Sequence, residues 1–383
     1  MKVLHIVESF DGQATEAWLA DVYEHLNSEH SGCEIAFYCR AVYAGAFVER
    51  VRGKFAEVYC APVPISKTFR HLLHFRSVVS NGGYDIVHSH CDLLSAVYFL
   101  ATIGVARRPK FITHVHNLQS AIPVSRAWLR FLLRPLFRSI CLVGSSRIVG
   151  VSKDALDAFV GVKRAEGNSK YCVIHCSVRD YEAALSSLSK RDVRQSVGVP
   201  ESAVVLLFVG RMVVTKNPGF VVDLLVELRR ASDRYYAVFV GAGPLTSVVA
   251  TYAQTLGVQQ YIRVLGWRDD VADFLCASDV LVWPGLESIK EGLGLGVVEA
   301  QSAGLPVIMS KNVPNDAIVC PALVNQISLE SGPVGWANVV EAIMKRGPYD
   351  KVDCYRAVES SSFSISTCVA NLNALYAGIK ATA

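Results

Sequence analysis

Two successive parallel α/β domains are the fold class this sequence predicts, on three observations. The chain has 383 residues, about half of them apolar, more than one hydrophobic core ordinarily serves, so two domains of roughly 150 to 200 residues are expected. Short β-branched runs alternate with helix-sized amphipathic segments, as when crossover helices cover both faces of a parallel sheet. The alternation begins afresh near residue 203, after a polar, serine-rich stretch.

In chain order, VLHIV (3–7) reads as the first strand and TEAWLADVYEHL as its helix. IAFYC (35–39), DIVHSH (85–90), KFITHVH (110–116), RIVGVS (147–152) and YCVIHC (171–176) read as further strands. AALSSLSKRDVRQSVGVPES is the expected linker. AVVLLFVG (203–210) starts the second series, and a helix follows it with Pro218 at an acceptable N-terminal position. YYAVFVGAG (235–243), YIRVLG (261–266), DVLVWPG (279–285) and LPVIMS (305–310) complete it. From Ser360 to Lys380 apolar residues recur at helical spacing (Val369, Leu372, Leu375, Tyr376). The expected division is a first domain over 1–180, a second over 181–355 and a helical segment over 356–383 packing back toward the first. Ligands in open α/β sheets sit at the carboxyl ends of strands, so the two domains are expected to face each other across a loop-lined cleft.

Composition narrows the function. A formal charge of +4 with no Lys/Arg block gives no ground for a nucleic-acid partner. No run of 18 apolar residues marks a membrane span. MKVLHIVESFDG, with Glu8 and Asp11, reads as a buried strand and not a signal peptide, so a cytoplasmic location is expected. The 11 cysteines are scattered without a CxxC pair, and Cys172 and Cys176 have no matching second pair. They suit small buried thiols in a reducing compartment, not a metal site. All ten histidines precede residue 176, and His88, His90, His114, His116 and His175 fall at strand ends. Such histidines serve a cleft or pack a turn, and either reading is open.

KEGLGLGVVEA (290–300) places Gly292, Gly294 and Gly296 between Glu291 and Glu299, at a strand-to-helix turn. Missing side chains let a ligand approach the backbone, and free N–H groups at a helix start favour a phosphate. The carboxylates on either side would hold sugar hydroxyls. The plainer reading is a tight turn with solvated glutamates. VGRMVVTKNP puts Arg211 just after a strand and Lys216 near a helix start, two cations for one anion. A departing diphosphate gathers negative charge, and preorganised donors there are worth roughly 3 to 4 kcal/mol. A local ion pair is the alternative use of Arg211.

The order GR-x4-K, VFVGAGPL, RVLGWRDDVADFLCASDVLVWP and EGLGLGVVEAQSAGLPVI resembles the donor half of the GT-B retaining glycosyltransferases, specifically glycosyltransferase family 4, whose E-x7-E motif Glu291 and Glu299 match. GYDIVHSHCD and FITHVHN resemble the acceptor-side strands of the bacterial exopolysaccharide and capsule members. The resemblance implies two Rossmann-like domains with a C-terminal helix. It implies Arg211 and Lys216 on the diphosphate of a UDP- or GDP-linked sugar, Glu299 on the ribose, Glu291 on the donor sugar, and the backbone of Gly292, Leu293, Gly294, Leu295 and Gly296 against phosphate and sugar. Gly266 and Arg268 would cradle the base, Gly12 would reach the donor phosphate, and His116 would lie near the sugar. With Glu291 and His116 as the catalytic pair, it implies retaining, metal-independent transfer, without a cofactor, to a glycan or polyprenyl-linked glycan in surface polysaccharide synthesis. The sequence departs from the family in DGQATEAW, where Gln13 replaces the second glycine and Glu16 is displaced. WPGLESIKEG is about two residues longer than usual, which makes Glu287 a competitor of Glu291. IHCSVRD keeps only Asp180 of the usual junction turn. These departures leave a silent, non-catalytic relative as an alternative, and a sugar-nucleotide epimerase is another.

VSRAWLRFLLRPLFRSI sets Arg126, Arg130, Arg134 and Arg138 four apart beside Trp128 and leucines. The 124–140 segment is a candidate for peripheral contact with the inner face of the cytoplasmic membrane, or else a domain helix with a solvated arginine face, where Pro135 is a candidate kink.

Overall fold

The computed structural model describes residues 1–10, 14–28, 33–45, 48, 57–118, 127–179, 189–347 and 349–381. The chain forms two compact units, one of Met1–Ser177 with Ser364–Ala383 and one of Val178–Phe363. The sequence sets the boundaries at 180/181 and 355/356. The later return point has a local reason: helix Lys351–Glu359 stays with the second unit, where Lys351 reaches the Cys276 carbonyl at 3.1 Å.

In the first unit, β1 (Lys2–Val7), β2 (Glu34–Cys39), β3 (Val58–Cys60), β4 (Ile86–Ser89), β5 (Lys110–Val115), β6 (Arg147–Gly150) and β7 (Tyr171–Val173) form a parallel sheet in the order β3-β2-β1-β4-β5-β6-β7. Leu4, Ile6, Tyr38, Val87 and Phe111 meet helix residues Phe75, Val78 and Tyr98 in its core. In the second, β8 (Val204–Val209), β9 (Tyr235–Val240), β10 (Ile262–Val264), β11 (Val280–Trp283), β12 (Val307–Met309) and β13 (Val324–Gln326) run parallel in the order β10-β9-β8-β11-β12-β13. Leu206, Phe208, Phe239 and Val282 pack on Val222, Leu225 and Trp336, each large side chain contributing about 1.5 to 3 kcal/mol on burial. Both sheets reverse their order once, between β1 and β4 and between β8 and β11, the kind of position at which open α/β sheets take up ligands.

Three features depart from the sequence reading. The edge strands β3 and β13, three residues each, are too short for a periodic pattern to announce them. Residues 190–196 of the expected linker are a helix whose Arg194 is only 4% exposed and pairs with Asp279 at 2.6 Å. The same guanidinium donates to the carbonyls of Ala277, Glu201 and Ala203 at 2.9, 2.8 and 2.7 Å. One arginine with four acceptors draws a polar segment into the domain, which composition does not register. The helix Ala127–Gly144 continues through Pro135, which removes only the hydrogen bond that would end on the Phe131 carbonyl.

Candidate functional site

At the β8/β11 switch point the loop after β8 and the loop after β11 come together. Lys216 ends a short 3-10 turn, Val214–Lys216, closed by Asn217 in the left-handed region (φ 52°). Leu286 N–H donates to the Thr215 carbonyl at 2.9 Å, which ties the second loop to the first. Glu291 N–H donates to the Asn312 carbonyl at 2.9 Å, and Ser310 Oγ to the Gly285 carbonyl at 2.6 Å. These bonds set Glu291 Oε1 2.6 Å from Lys216 Nζ, with side-chain exposures of 16% and 17%. Lys216 Nζ also lies 4.4 Å from the centroid of the Trp283 ring, a cation–π contact. Burial lowers the Lys216 pKa from its usual 10.5 against the pull of Glu291, and the nearby charge of Arg211 lowers it further. Arg211 itself is exposed, one residue past Gly210.

The glycine run has two structural reasons that the ligand argument misses. Gly294 stands at the N-terminus of helix Leu295–Ser302 with φ 87°, a conformation L-residues rarely adopt. A Cβ on Gly296 would sit 2.6 Å from the Trp283 ring. The helix start has no side-chain cap, so a ligand anion can meet its N–H groups. Glu299 is half-buried within that helix. Glu287, the competitor of Glu291, accepts from Leu329 N–H at 2.8 Å and from Ser328 Oγ at 3.3 Å, so it caps the 329–331 turn instead.

Gly266 and Arg268 follow β10, two strands from β8. The Gly266 carbonyl accepts from Gly241 N–H at 2.7 Å. Arg268 pairs with Asp270, Nε to Oδ1 2.7 Å, and this partner lowers the Asp270 pKa. Gly12 and Gln13, like Asp180, lie outside the described residues. Glu16 is buried in the first turn of helix Ala14–Ser28.

In the first unit, His116 follows β5 beside the β1/β4 switch point. Its backbone N–H donates to Asp92 Oδ1 at 2.7 Å, and Asn117 Nδ2 donates to Asp92 Oδ2 at 2.9 Å. Asp92 has φ 48°, a strained setting for a non-glycine residue of the kind that accompanies functional sites. His116 Nε2 lies 2.9 Å from His90 Nδ1. His5, His88, His90, His114 and His116 all project from one face of the sheet, with rings 4.5 to 5.2 Å apart between neighbours. Burial lowers the pKa of His5 and of His116 to about 3. His175, the fifth strand-end histidine, stands apart from this group, with its carbonyl 3.6 Å from Cys368 Sγ. Sequence reading passed over Asp92, Asn312 and Trp283. Only the tryptophan leaves a signal, ending a strand directly before a Pro-Gly turn.

Two doubly wound sheets, one with a paired cation and carboxylate beside a helix start without a side-chain cap, are the architecture that the sequence resemblance implies. A family model described as Glycosyltransferase Family 4 matches residues 16–180, and one described as Glycosyl transferases group 1 matches residues 189–350. The chain is 27% identical over 283 residues to the UDP-Gal:alpha-D-GlcNAc-diphosphoundecaprenol alpha-1,3-galactosyltransferase of Escherichia coli, covering 71% of this chain and 69% of that one. It is 22% identical over 344 residues to the putative glycosyltransferase EpsF of Bacillus subtilis, covering 88% and 86%. The crystal structure of Anabaena HepE in complex with UDP superimposes with a TM-score of 0.73 over 100% of both chains at 17% identity. This chain belongs to glycosyltransferase family 4, with the GT-B fold, and it is a glycosyltransferase.

Proposed function

We propose that the chain transfers a hexose from a UDP- or GDP-linked donor, with retention of configuration, to a glycan or polyprenyl-linked glycan in surface polysaccharide synthesis. The observation that carries this reading is the Lys216–Glu291 pair at the β8/β11 switch point, beside the uncapped N-terminus of helix Leu295–Ser302. In this reading Lys216 and Arg211 neutralise the diphosphate as the sugar–phosphate bond breaks, and the backbone from Gly292 to Gly296 approaches it. Glu291 holds the sugar, Glu299 the ribose, and Gly12, Gly266 and Arg268 complete the donor site, while His116 is assigned to the transferred sugar. Two side-chain cations meet the charge of the leaving group, so turnover is expected to persist in EDTA and to need no cofactor. The Escherichia coli relative's name specifies UDP-Gal and a diphosphoundecaprenol-linked acceptor, which favours uridine and a lipid-linked acceptor here.

No described helix is long and apolar enough to cross a membrane. Helix Ala127–Gly144 exposes Phe131 (80%), Leu132, Leu136 and Val143 (85%), a face suited to peripheral contact with the cytoplasmic side of a membrane. Its arginines are not one solvated stripe, because Arg138 Nε donates to the Phe159 carbonyl. Arg126 and the side chain of Arg130 lie outside the described residues.

A thermal-shift panel with UDP, GDP, ADP and dTDP, with and without magnesium, tests the reading. A nucleotide at about a hundred times its Kd stabilises by roughly 2.7 kcal/mol. One responder, indifferent to metal and lost in Arg211→Ala, supports the donor site. No response to any of the four overturns it.

A further inference from the structure

The histidine cluster contains an ordered hydrogen-bond chain. Tyr23 Oη meets His5 Nε2, His5 Nδ1 lies 2.9 Å from His90 Nε2, His90 Nδ1 lies 2.9 Å from His116 Nε2, and His116 Nδ1 lies 3.4 Å from Thr15 Oγ1. Each of the three imidazoles uses one nitrogen toward each neighbour. A neutral imidazole has one N–H and one lone pair, so the direction of any one bond in the chain determines all the others. Burial keeps these rings neutral. The direction is decided at the phenol. Tyr23 Oη also lies 3.2 Å from Tyr376 Oη, but its shorter contact is with His5 Nε2, and a phenol O–H is a stronger acid than a neutral imidazole N–H, so Tyr23 donates and His5 Nε2 accepts. His5 then donates from Nδ1 to His90, and His90 from Nδ1 to His116 Nε2. What remains on His116 is an Nδ1–H, 3.4 Å from Thr15 Oγ1, a long contact that a substrate oxygen can replace.

A second branch runs beside the first. Tyr376 Oη, on the C-terminal helix, lies 2.8 Å from His88 Nδ1, and His88 Nε2 lies 3.2 Å from His114 Nδ1. Tyr376 Oη is also 3.3 Å from His5 Nε2, so it can substitute for Tyr23 as the terminal donor. The Asp92 carboxylate holds the His116 backbone N–H at 2.7 Å, which leaves the ring orientation to the relay.

We propose that Tyr23, His5 and His90 are positioning residues that hold His116 in the neutral tautomer protonated at Nδ1, making it a hydrogen-bond donor toward substrate oxygen and not a base. The functional half of this inference rests on the assignment of His116 to the transferred sugar; the tautomer half does not. With its lone pair engaged by His90, the His116 ring has no free site to receive a proton from an acceptor hydroxyl. The acceptor proton therefore goes to the leaving diphosphate oxygen, and His116 stabilises sugar oxygens by donation.

The test is long-range proton–nitrogen NMR on the full chain labelled with ¹⁵N-histidine, the His116 signals being assigned by their loss in His116→Gln. The expected result is a protonated Nδ1 and an unprotonated Nε2 on His116. His90→Leu cuts the relay, and Tyr23→Phe with Tyr376→Phe removes both phenol donors. Either is expected to move His116 toward a mixture of tautomers and to lower kcat for hydrolysis of UDP-galactose or UDP-glucose by about tenfold, the scale of one hydrogen bond, with KM little changed. The two routes break the relay at different points, so a folding failure in one leaves the other decisive. An Nε2-protonated His116 in the native chain, or a His116 pattern indifferent to these variants, overturns the relay. The expected spectra with kcat unchanged would keep the relay and overturn the placement of His116 at the sugar.

Discussion

Lys216 Nζ lies 2.6 Å from Glu291 Oε1, across 75 residues of sequence and under the cover of the Trp283 ring. The two residues assigned to different parts of a nucleotide sugar are thus each other's electrostatic partner. In the proposed donor site, a diphosphate reaching Lys216 would compete with Glu291 for it and free the carboxylate to accept sugar hydroxyls. Lys216→Met and Glu291→Gln are each expected to lower kcat/KM for donor hydrolysis by about 10²-fold or more. The double variant should fall short of the summed losses by about 1 to 3 kcal/mol, as coupled neighbours do. Strict additivity in that cycle would show that the pair does not act as a unit.

Gly296→Ala is expected to destabilise the fold by roughly 1 to 3 kcal/mol, because its Cβ would meet the Trp283 ring at 2.6 Å and overpacking costs about that much. Gly294→Ala should cost roughly 1 to 2 kcal/mol through its positive φ, beside a contact of its Cβ with Val313 Cγ1 at 2.9 Å, neither of which involves Trp283. Urea midpoints measure both. Recovery of Gly296→Ala by Trp283→Leu, and no recovery of Gly294→Ala, would separate the steric cause from the backbone one.

Acid should weaken the first unit. Burial holds His5 and His116 to about 3, and burial together with the neighbouring imidazoles holds His88, His90 and His114 well below their usual 6.5. Between pH 6.5 and 3 the unfolded chain therefore binds protons that the folded chain refuses. Stability rises with pH across that window, is complete above about 6.5 as far as these groups are concerned, and is lost as pH falls toward 3. A urea midpoint unchanged between pH 7.5 and 5 would contradict this.

Arg194→Met should be among the more damaging single substitutions in the second unit. It leaves Asp279 and three carbonyls without their shared donor, although Lys190 still reaches Asp279 at 2.6 Å. Removing one partner from a buried pair costs about 3 to 5 kcal/mol, and calorimetry would register it as a large fall in Tm.

Phe131→Ser with Leu136→Ser removes two exposed apolar side chains from helix Ala127–Gly144. Sedimentation with anionic phospholipid vesicles is expected to show binding by the native chain, weakened in the variant while its Tm is retained. Equal binding by both would place any membrane contact elsewhere.

The two parallel α/β units, most of their strands and the motif positions of the second unit were legible in the sequence alone. Those features rest on local periodicity and on residues a few positions apart, such as Arg211 with Lys216 or Glu291 with Glu299, and local spacing survives without knowledge of strand order. The tertiary structure alone decided which of these residues meet. Strand order brings β11 beside β8 and so Glu291 to Lys216, places Trp283 against Gly296, and engages Glu287 elsewhere. It also gathers five histidines from three strands and their ends with Tyr23 and Tyr376, residues 353 positions apart, into one hydrogen-bonded network. None of these contacts has a local signature, because each depends on which strands lie side by side and which face of the sheet a helix covers.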